Sequence, residues 1–150
     1  RPMFLRRPDS HLGLANFMRS HLYASLATLK IGLDILLKEE DVKIDSITGH
    51  GGLFKTKGVG QSILAAAMNA PISVMETAGE GGAWGMALLA AYMLFKKDGQ
   101  SLGDYLDSRV FAERKSETME PDLADVAGFE TYTKQYQACL AAEKAAVQAF

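Results

Sequence analysis

The sequence predicts an α/β fold in which a short, mostly parallel sheet is flanked by helices. Between residues 44 and 95, apolar runs alternate in the order strand, helix, strand, helix, and a glycine-rich turn follows each strand. This alternation is typical of parallel strands joined by right-handed crossovers. Only two or three strands can be identified, whereas parallel sheets are usually larger and covered on both faces. We therefore expect an incomplete sheet, whose other strands come from an upstream part of a longer chain or from another copy.

The first elements are predicted to be a short strand and a long helix. Residues 3–5 are apolar and are predicted to form the strand. A helix of about twenty residues or more is expected to start at Asp9 or Ser10, because both residue types cap helices. Leucines recur along it at steps of four and three, which indicates one apolar face. The leucines of this face are Leu22, Leu26, Leu29, Leu33 and Leu36.

Two strand–helix units follow. The predicted strands cover residues 44–48 and 72–76, and the helices cover residues 59–68 and 83–95. The first helix is expected to end before Pro71, because proline disfavours the helical conformation of the residue that precedes it. The first strand leads into the first glycine loop, residues 49–58. The second strand is followed by a glycine-rich turn at residues 79–82, which we call, with the two residues that precede it, the second glycine loop.

The C-terminal third is predicted to be helical apart from one polar segment. Ser101 and Asp104 form a capping box, which predicts a short helix that extends to Val110. Residues 112–121 are polar and charged and are predicted to be a loop. A final helix is expected from about Val126 to the end of the chain. Asp122 and Asp125 near its start could be paired carboxylates, but they are interpreted as caps.

Composition excludes several classes of protein. The net charge is −2 over 150 residues, so we expect no basic surface for nucleic acids. No apolar run reaches the roughly 18–20 residues of a membrane span. Cys139 is the single cysteine, and we interpret it as a packing residue in a helix, without a disulfide or metal role. Together these features favour a cytoplasmic protein. Because the chain begins at Arg1 without methionine, we expect a piece of a longer protein.

The first glycine loop contains the best candidate site. Residues without a Cβ allow a ligand to approach the backbone closely. The loop matches neither the phosphate-binding G-x-x-x-x-G-K-[ST] pattern nor the dinucleotide-binding G-x-G-x-x-G pattern. On spacing alone, a nucleotide site and a plain tight turn therefore stay equally open. The second glycine loop could bind an anion at a helix start, but close packing of helix on strand is the favoured interpretation. His50 is interpreted as an ordinary loop histidine.

Two segments together resemble a known family. They are TGHGG at residues 48–52 and NAPISVMETAGEGGAWGMALLAAYM at residues 69–93. They are similar to the C-terminal region of the FGGY carbohydrate kinases, and to xylulokinases and ribulokinases in particular. The resemblance covers about residues 1–110 and is strongest over residues 45–92.

The resemblance implies a partial actin-like (ribonuclease H-like) ATPase domain and a role in phosphoryl transfer. Family members transfer the γ-phosphoryl group of ATP to a sugar hydroxyl with Mg²⁺, here to a ketopentose such as xylulose or ribulose. Residues 1–150 would then be the C-terminal, nucleotide-side portion of a two-domain kinase that binds ATP or ADP. By the same resemblance, the nucleotide-binding residues would be Gly51, Gly52, Leu53, Phe54 and Thr56.

The same resemblance implies that the catalytic base and the phosphate loop belong to the first domain, which is absent here. We therefore expect no catalytic residue and no metal ligand in this chain, and we expect the isolated chain to be inactive.

Three other functions stay open at this stage. The main alternative is a non-catalytic, helix-rich interaction module that forms a homodimer, because an unfinished sheet has open edges that can pair. Another actin-like ATPase, such as a chaperone or a kinase with a different substrate, is a weaker alternative. A dehydrogenase is weaker again, since the dinucleotide pattern is missing.

Overall fold

The computed structural model describes residues 3–112 and 116–149. Over these residues the chain has a mixed α/β fold with five α-helices and one three-stranded sheet. The elements in chain order are α1 (Leu14–Lys38), β1 (Ile47–Gly49), α2 (Val59–Met68), β2 (Ile72–Met75), α3 (Gly81–Phe95), α4 (Leu102–Tyr105), β3 (Ser116–Met119) and α5 (Leu123–Gln148). None of the helices in these ranges combines the length and apolarity that crossing a membrane requires.

The sheet has the order β1-β2-β3, and its first two strands are parallel as the sequence predicts. Gly49 at the end of β1 lies opposite Val74 in β2. β3 is antiparallel to β2, and its first residue, Ser116, lies opposite Met75. The ends of β1 and β2 and the start of β3 therefore share one edge of the sheet. Both glycine loops leave the sheet at this edge.

The prediction that residues 112–121 form a loop is wrong, because residues 116–119 form the strand β3. Residues 116–119 pair with β2 along its whole length, while residues 113–115 lie outside the described residues. The strand is polar and its first three residues are exposed, so it lacks the apolar alternation that identifies a strand. Its stability comes from pairing, including a hydrogen bond of 2.8 Å between the hydroxyl groups of Ser73 and Thr118.

The N-terminal segment also differs from the prediction. Residues 3–5 do not form a strand, and α1 begins at Leu14 rather than beside Asp9 or Ser10. The reason is that both polar side chains serve a turn before the helix. The Asp9 carboxylate accepts hydrogen bonds from Arg7, and the Ser10 hydroxyl donates to the Arg7 carbonyl at 2.7 Å. Neither side chain is therefore available as a helix cap.

The described residues form two compact units. One contains residues 3–45, 63–70 and 121–149, and the other contains residues 46–62, 71–112 and 116–120. In the first unit, the aromatic rings of α1 and α5 pack together. The ring of Phe129 is fully buried, and its centroid lies 4.8 Å from that of Tyr23. Tyr132 packs edge-on against Tyr23 at 5.3 Å and donates a hydrogen bond to the Ser20 carbonyl at 3.3 Å.

The leucine face predicted for α1 is buried only in part. Leu26 is buried and Leu22 and Leu33 are half-buried, whereas Leu29 and Leu36 are about half exposed at 51% and 47%. The other buried residues of the helix are Tyr23 and Ala27.

α5 begins at Leu123 and ends at Gln148, and Phe150 lies outside the described residues. The Asp122 carboxylate accepts hydrogen bonds from the amides of Ala124 and Asp125, which confirms Asp122 as the cap. The interpretation of Cys139 as a packing residue is wrong, because this side chain is exposed. The buried residues of the helix all lie in its first half, between Val126 and Thr133.

The helices around the sheet follow local sequence signals closely. α2 covers the predicted residues, and Asn69 turns the chain with a φ of 49° before Pro71. The Ser101 hydroxyl accepts a hydrogen bond from the Asp104 amide at 3.1 Å, which confirms the capping box at the start of α4. A single π-helical turn, Leu106–Val110, continues α4 to the predicted end.

Candidate functional site

The two glycine loops contact each other at the edge where β1 and β2 end. The amide of Gly51 donates a hydrogen bond of 2.7 Å to the carbonyl of Ala78. The ammonium group of Lys55 forms an ion pair with the carboxylate of Glu80, with 2.6 Å between Nζ and Oε1. Both contacts join the first glycine loop to the second, so that two loops far apart in sequence form one surface. In open α/β sheets, ligands bind outside the carboxyl ends of parallel strands.

The peptide at Gly51 and Gly52 is open on one side. Gly51 has φ 107° and ψ −174°, a conformation that only glycine adopts without strain. Gly52 begins a 3₁₀ turn that extends to Phe54. A Cβ placed on either glycine would meet no other atom within 4 Å. The backbone here is therefore uncovered, and a planar group could lie against it.

The side chains that follow this open peptide pack against two other glycines. A Cβ on Gly49 would overlap the ring of Phe54, and a Cβ on Gly60 would overlap the backbone and side chain of Leu53. Gly49 and Gly60 thus allow the 3₁₀ turn to fold back onto β1 and α2. Leu53 packs against Gly60, whereas Phe54 packs against Gly49 and also lines a cavity.

That cavity has a volume of about 380 Å³. It lies beside the end of β2 and the start of β3, and its polar or aromatic wall residues include Phe54, Thr56, Lys57, Gln61, Glu76 and Glu117. Its size is within the roughly 300–1,000 Å³ that is typical of pockets for small molecules. Of the residues predicted from the sequence, Phe54 and Thr56 line this cavity. Gly51, Gly52 and Leu53 precede these two in the chain but do not line the cavity.

Gln61 supports the wall of the cavity and was not predicted. It is only 5% exposed, and its side-chain amide donates two hydrogen bonds, to the Ile72 carbonyl at 2.7 Å and to the Glu117 carbonyl at 2.8 Å. One side chain of α2 therefore holds both β2 and β3. The signal in the sequence was a single glutamine in the mostly apolar run of residues 59–68. A buried amide in such a run must find backbone partners.

The charges of the cavity are mostly negative. Glu117 is paired with Lys57, with 2.9 Å between the carboxylate and the ammonium nitrogen, and both groups are largely exposed. Across residues 3–112 and 116–149, the carboxylate of Glu76 has neither an ion pair nor a hydrogen bond. The cavity wall therefore carries one ion pair and one further carboxylate, that of the exposed Glu76.

His50 is a further candidate group near the two glycine loops. His50 lies at the second glycine loop, where a Cβ on Gly81 would be 3.2 Å from its Nδ1 atom. In the described part of the chain, no three His, Cys, Asp or Glu side chains are arranged to hold a metal ion.

Comparison with known proteins gives one result that bears on this site. The chain matches the family model described as the C-terminal domain of the FGGY family of carbohydrate kinases, over residues 1–94. The matched range contains β1, both glycine loops, α2, β2 and nearly all of α3. No curated protein and no solved structure matches the chain. Because the family model covers well over half of the 150 residues, the chain belongs to the FGGY family of carbohydrate kinases.

Proposed function

We propose that this chain is the nucleotide-side, C-terminal part of an ATP-dependent sugar kinase. In this proposal the first glycine loop and the neighbouring cavity hold the nucleoside end of ATP or ADP. Family membership supports the reaction class, since the family consists of carbohydrate kinases. A ketopentose such as xylulose or ribulose, an actin-like fold of the whole kinase and a cytoplasmic location are predictions that rest on resemblance and composition.

The observation that carries the proposal is the open peptide at Gly51 and Gly52, in the same glycine loop that contributes Phe54 and Thr56 to a cavity of suitable size. An adenine ring can lie flat against peptide planes only where side chains are missing. Phe54 presents an aromatic ring to the same cavity, and aromatic rings pack favourably against planar groups. The hydroxyl-bearing Thr56 adds a polar group at the wall. These features fit a purine nucleoside better than they fit a phosphate chain.

The proposal assigns phosphoryl transfer to the whole kinase rather than to this chain alone. Such transfer depends on positioning and on neutralising charge around the phosphates. We assign no step through Mg²⁺ to the described residues, in which no three His, Cys, Asp or Glu side chains are arranged to hold a metal ion. We therefore expect the 150-residue chain to show no sugar phosphorylation on its own. Phosphorylation of a sugar by this chain would contradict that assignment.

Replacing Gly52 by tryptophan is expected to abolish binding of ADP to the chain. A Cβ at Gly52 meets no atom within 4 Å, so the indole ring can be accommodated by the fold and would cover the open peptide. We expect the dissociation constant, measured by calorimetric titration, to rise by at least about tenfold, equivalent to 1.4 kcal/mol.

Gly32→Trp is the matched control for this change. Gly32 lies in α1, and a Cβ there also meets nothing within 4 Å. This variant should bind ADP like the unmodified chain. Equal affinity of Gly52→Trp and the unmodified chain would contradict a role for the open peptide.

A helix-rich interaction module remains the second candidate, and the surface of α3 favours it. No residue of α3 is buried, and several of its large apolar side chains are more than 60% exposed. These side chains are Met86, Met93, Leu94 and Phe95. Light scattering tests this candidate through the predicted homodimer. A stable dimer together with no saturable nucleotide binding would favour the interaction module over the kinase portion.

A further inference from the structure

One side of α3 is exposed and uncharged. Its exposed residues occupy positions 82–83, 86–87, 89–90 and 93–94, and we call this surface the α3 face. Because residues three and four apart share one side of a helix, these positions form one continuous surface. Every one of them is glycine, alanine, methionine or leucine. Apart from Phe95 at the end of the helix, the other residues of α3 are half-buried. Contiguous exposed apolar surface of this kind marks interaction sites.

The α3 face is complementary to itself. In an antiparallel pair of α3 helices with the two-fold axis at Leu88, positions equally far from Leu88 on either side lie opposite each other. All positions of the α3 face then pair among themselves, and each pair joins one large residue to one small residue. The pairs include Met86 with Ala90, Met93 with Ala83 and Leu94 with Gly82. A large side chain of one copy therefore has room over a small residue of the other, which allows the two helices to pack closely.

The charges at the two ends of α3 favour the same arrangement. Glu80 directly precedes the helix and Lys96 directly follows it, each eight positions from Leu88, and the helix between them has no charged residue. An antiparallel pair places Glu80 of one copy opposite Lys96 of the other at both ends, whereas a parallel pair would place like charges together. Glu80 already pairs with Lys55 of its own chain. A carboxylate has two oxygens and can accept hydrogen bonds from a second cation.

We propose that two copies of this chain associate through the α3 face as an antiparallel, two-fold symmetric dimer. The proposal requires no nucleotide and goes beyond the proposed function. It assigns dimer formation to a helix face, whereas the sequence indicated the open edges of the sheet. Each copy contributes one helix of about 22 Å. This contact is smaller than the about 800 Å² per partner of a standard interface, so we expect a dissociation constant in about the micromolar range.

The test is sedimentation velocity of the 150-residue chain from about 1 to about 200 µM, the range in which such a dimer dissociates. The unmodified chain should change from monomer to dimer over this range. Met86→Glu should raise the dissociation constant at least about tenfold, because it buries a carboxylate against Ala90 of the other copy without a partner. Met86 is 70% exposed in the single chain, so the fold should tolerate the change. Far-UV circular dichroism checks that each variant is folded.

Met18→Glu is the matched control, since Met18 is an exposed methionine of α1. This variant should dimerise like the unmodified chain. A chain that stays monomeric up to the highest concentration would overturn the proposal and leave the α3 face to a partner other than a second copy. A dimer that Met86→Glu leaves intact would also overturn it and assign the contact to another surface, such as a sheet edge.

Disulfide cross-linking tests the antiparallel register. Both cysteine variants carry Cys139→Ser, because Cys139 is exposed. A mixture of Met86→Cys and Ala90→Cys chains should form a cross-linked dimer with oxidised glutathione. Met86→Cys alone should not, because its two copies lie four positions apart along the paired helices, about 6 Å, and their Cα atoms are then too distant for a disulfide. No cross-link in the mixture, or a cross-link in Met86→Cys alone, would overturn the antiparallel pairing.

Discussion

Replacing Phe129 by alanine is expected to lower the free energy of unfolding by about 3–5 kcal/mol. The ring is fully buried and packs between Tyr23 and Tyr132, with centroid distances of 4.8 Å and 6.3 Å. Removing it leaves a cavity where α1 and α5 pack together, and both flanking rings lose their partner. Urea unfolding followed by far-UV circular dichroism measures the effect, because α1 and α5 are the longest helices, with 25 and 26 residues.

Phe95→Ala is the control for the loss of one aromatic ring. Phe95 is 62% exposed at the end of α3, so its removal should change the free energy of unfolding by less than about 1 kcal/mol. If Phe129→Ala were no more destabilising than Phe95→Ala, the packing of α1 on α5 described here would be wrong.

Gln61→Leu is expected to be the most damaging change at the cavity. Leucine has a similar size but no donor, so the carbonyls of Ile72 and Glu117 lose their hydrogen bonds. A buried acceptor left without a partner costs about 1–3 kcal/mol, so for two acceptors we expect a total loss of about 2–6 kcal/mol of folding free energy. Because Glu117 belongs to the cavity wall, affinity for ADP should fall as well. Urea unfolding and calorimetric titration measure the two effects.

Gln135→Leu separates this effect from a general response to replacing glutamine by leucine. Gln135 is exposed on α5, and its replacement should alter neither stability nor ADP binding by a measurable amount. A Gln61→Leu variant as stable as Gln135→Leu would show that the two carbonyls do not depend on the amide of Gln61.

The elements that the sequence predicts well are those with local signals. Pro71 and the positive φ of Asn69 end α2 where the pattern places its end. The hydroxyl of Ser101 caps the start of α4 by accepting a hydrogen bond from the amide of Asp104, which is only three residues away in the sequence. The parallel pairing of β1 and β2 follows from the helix between them, since a crossover of this length permits it.

The elements that the sequence does not predict depend on distant partners. β3 is recognisable only by its pairing with β2, more than 40 residues earlier in the chain. Its polar residues have no periodicity that would distinguish them from a loop. The start of α1 was misplaced for a related reason, because the capping side chains of Asp9 and Ser10 are used by Arg7 instead.

Fewer side chains of the two long helices, α1 and α5, are buried than the sequence predicts. The apolar spacing of α1 predicts a continuous buried face, but Leu29 and Leu36 are about half exposed. In α5, Cys139 was expected to pack because it lies in an alanine-rich helical run, but this residue is exposed. Helical spacing identifies a face that can be buried. How far along the helix a partner covers that face is decided by tertiary packing.

Of the candidate site, the open peptide and the wall residues Phe54 and Thr56 were named from the sequence, whereas Gln61 and Glu76 were not. The glycines at positions 51 and 52 indicate open peptide because the residue type itself removes the side chain, and this peptide is uncovered in the structure. Gln61 and Glu76 carry no such signal. Each acquires its position only when β2 and β3 pair and create the cavity between them and the first glycine loop.

We propose that the open peptide at Gly51 and Gly52 and the neighbouring cavity form a binding site for a nucleoside. Titration of ¹⁵N-labelled chain with ADP, followed by the backbone amide signals, tests it most directly. We expect saturable changes in the amide chemical shifts, and the largest changes should occur at residues 51–58 and 74–76. Signals that stay unchanged at these residues up to millimolar ADP, or shifts that are largest in α1 and α5, would contradict it.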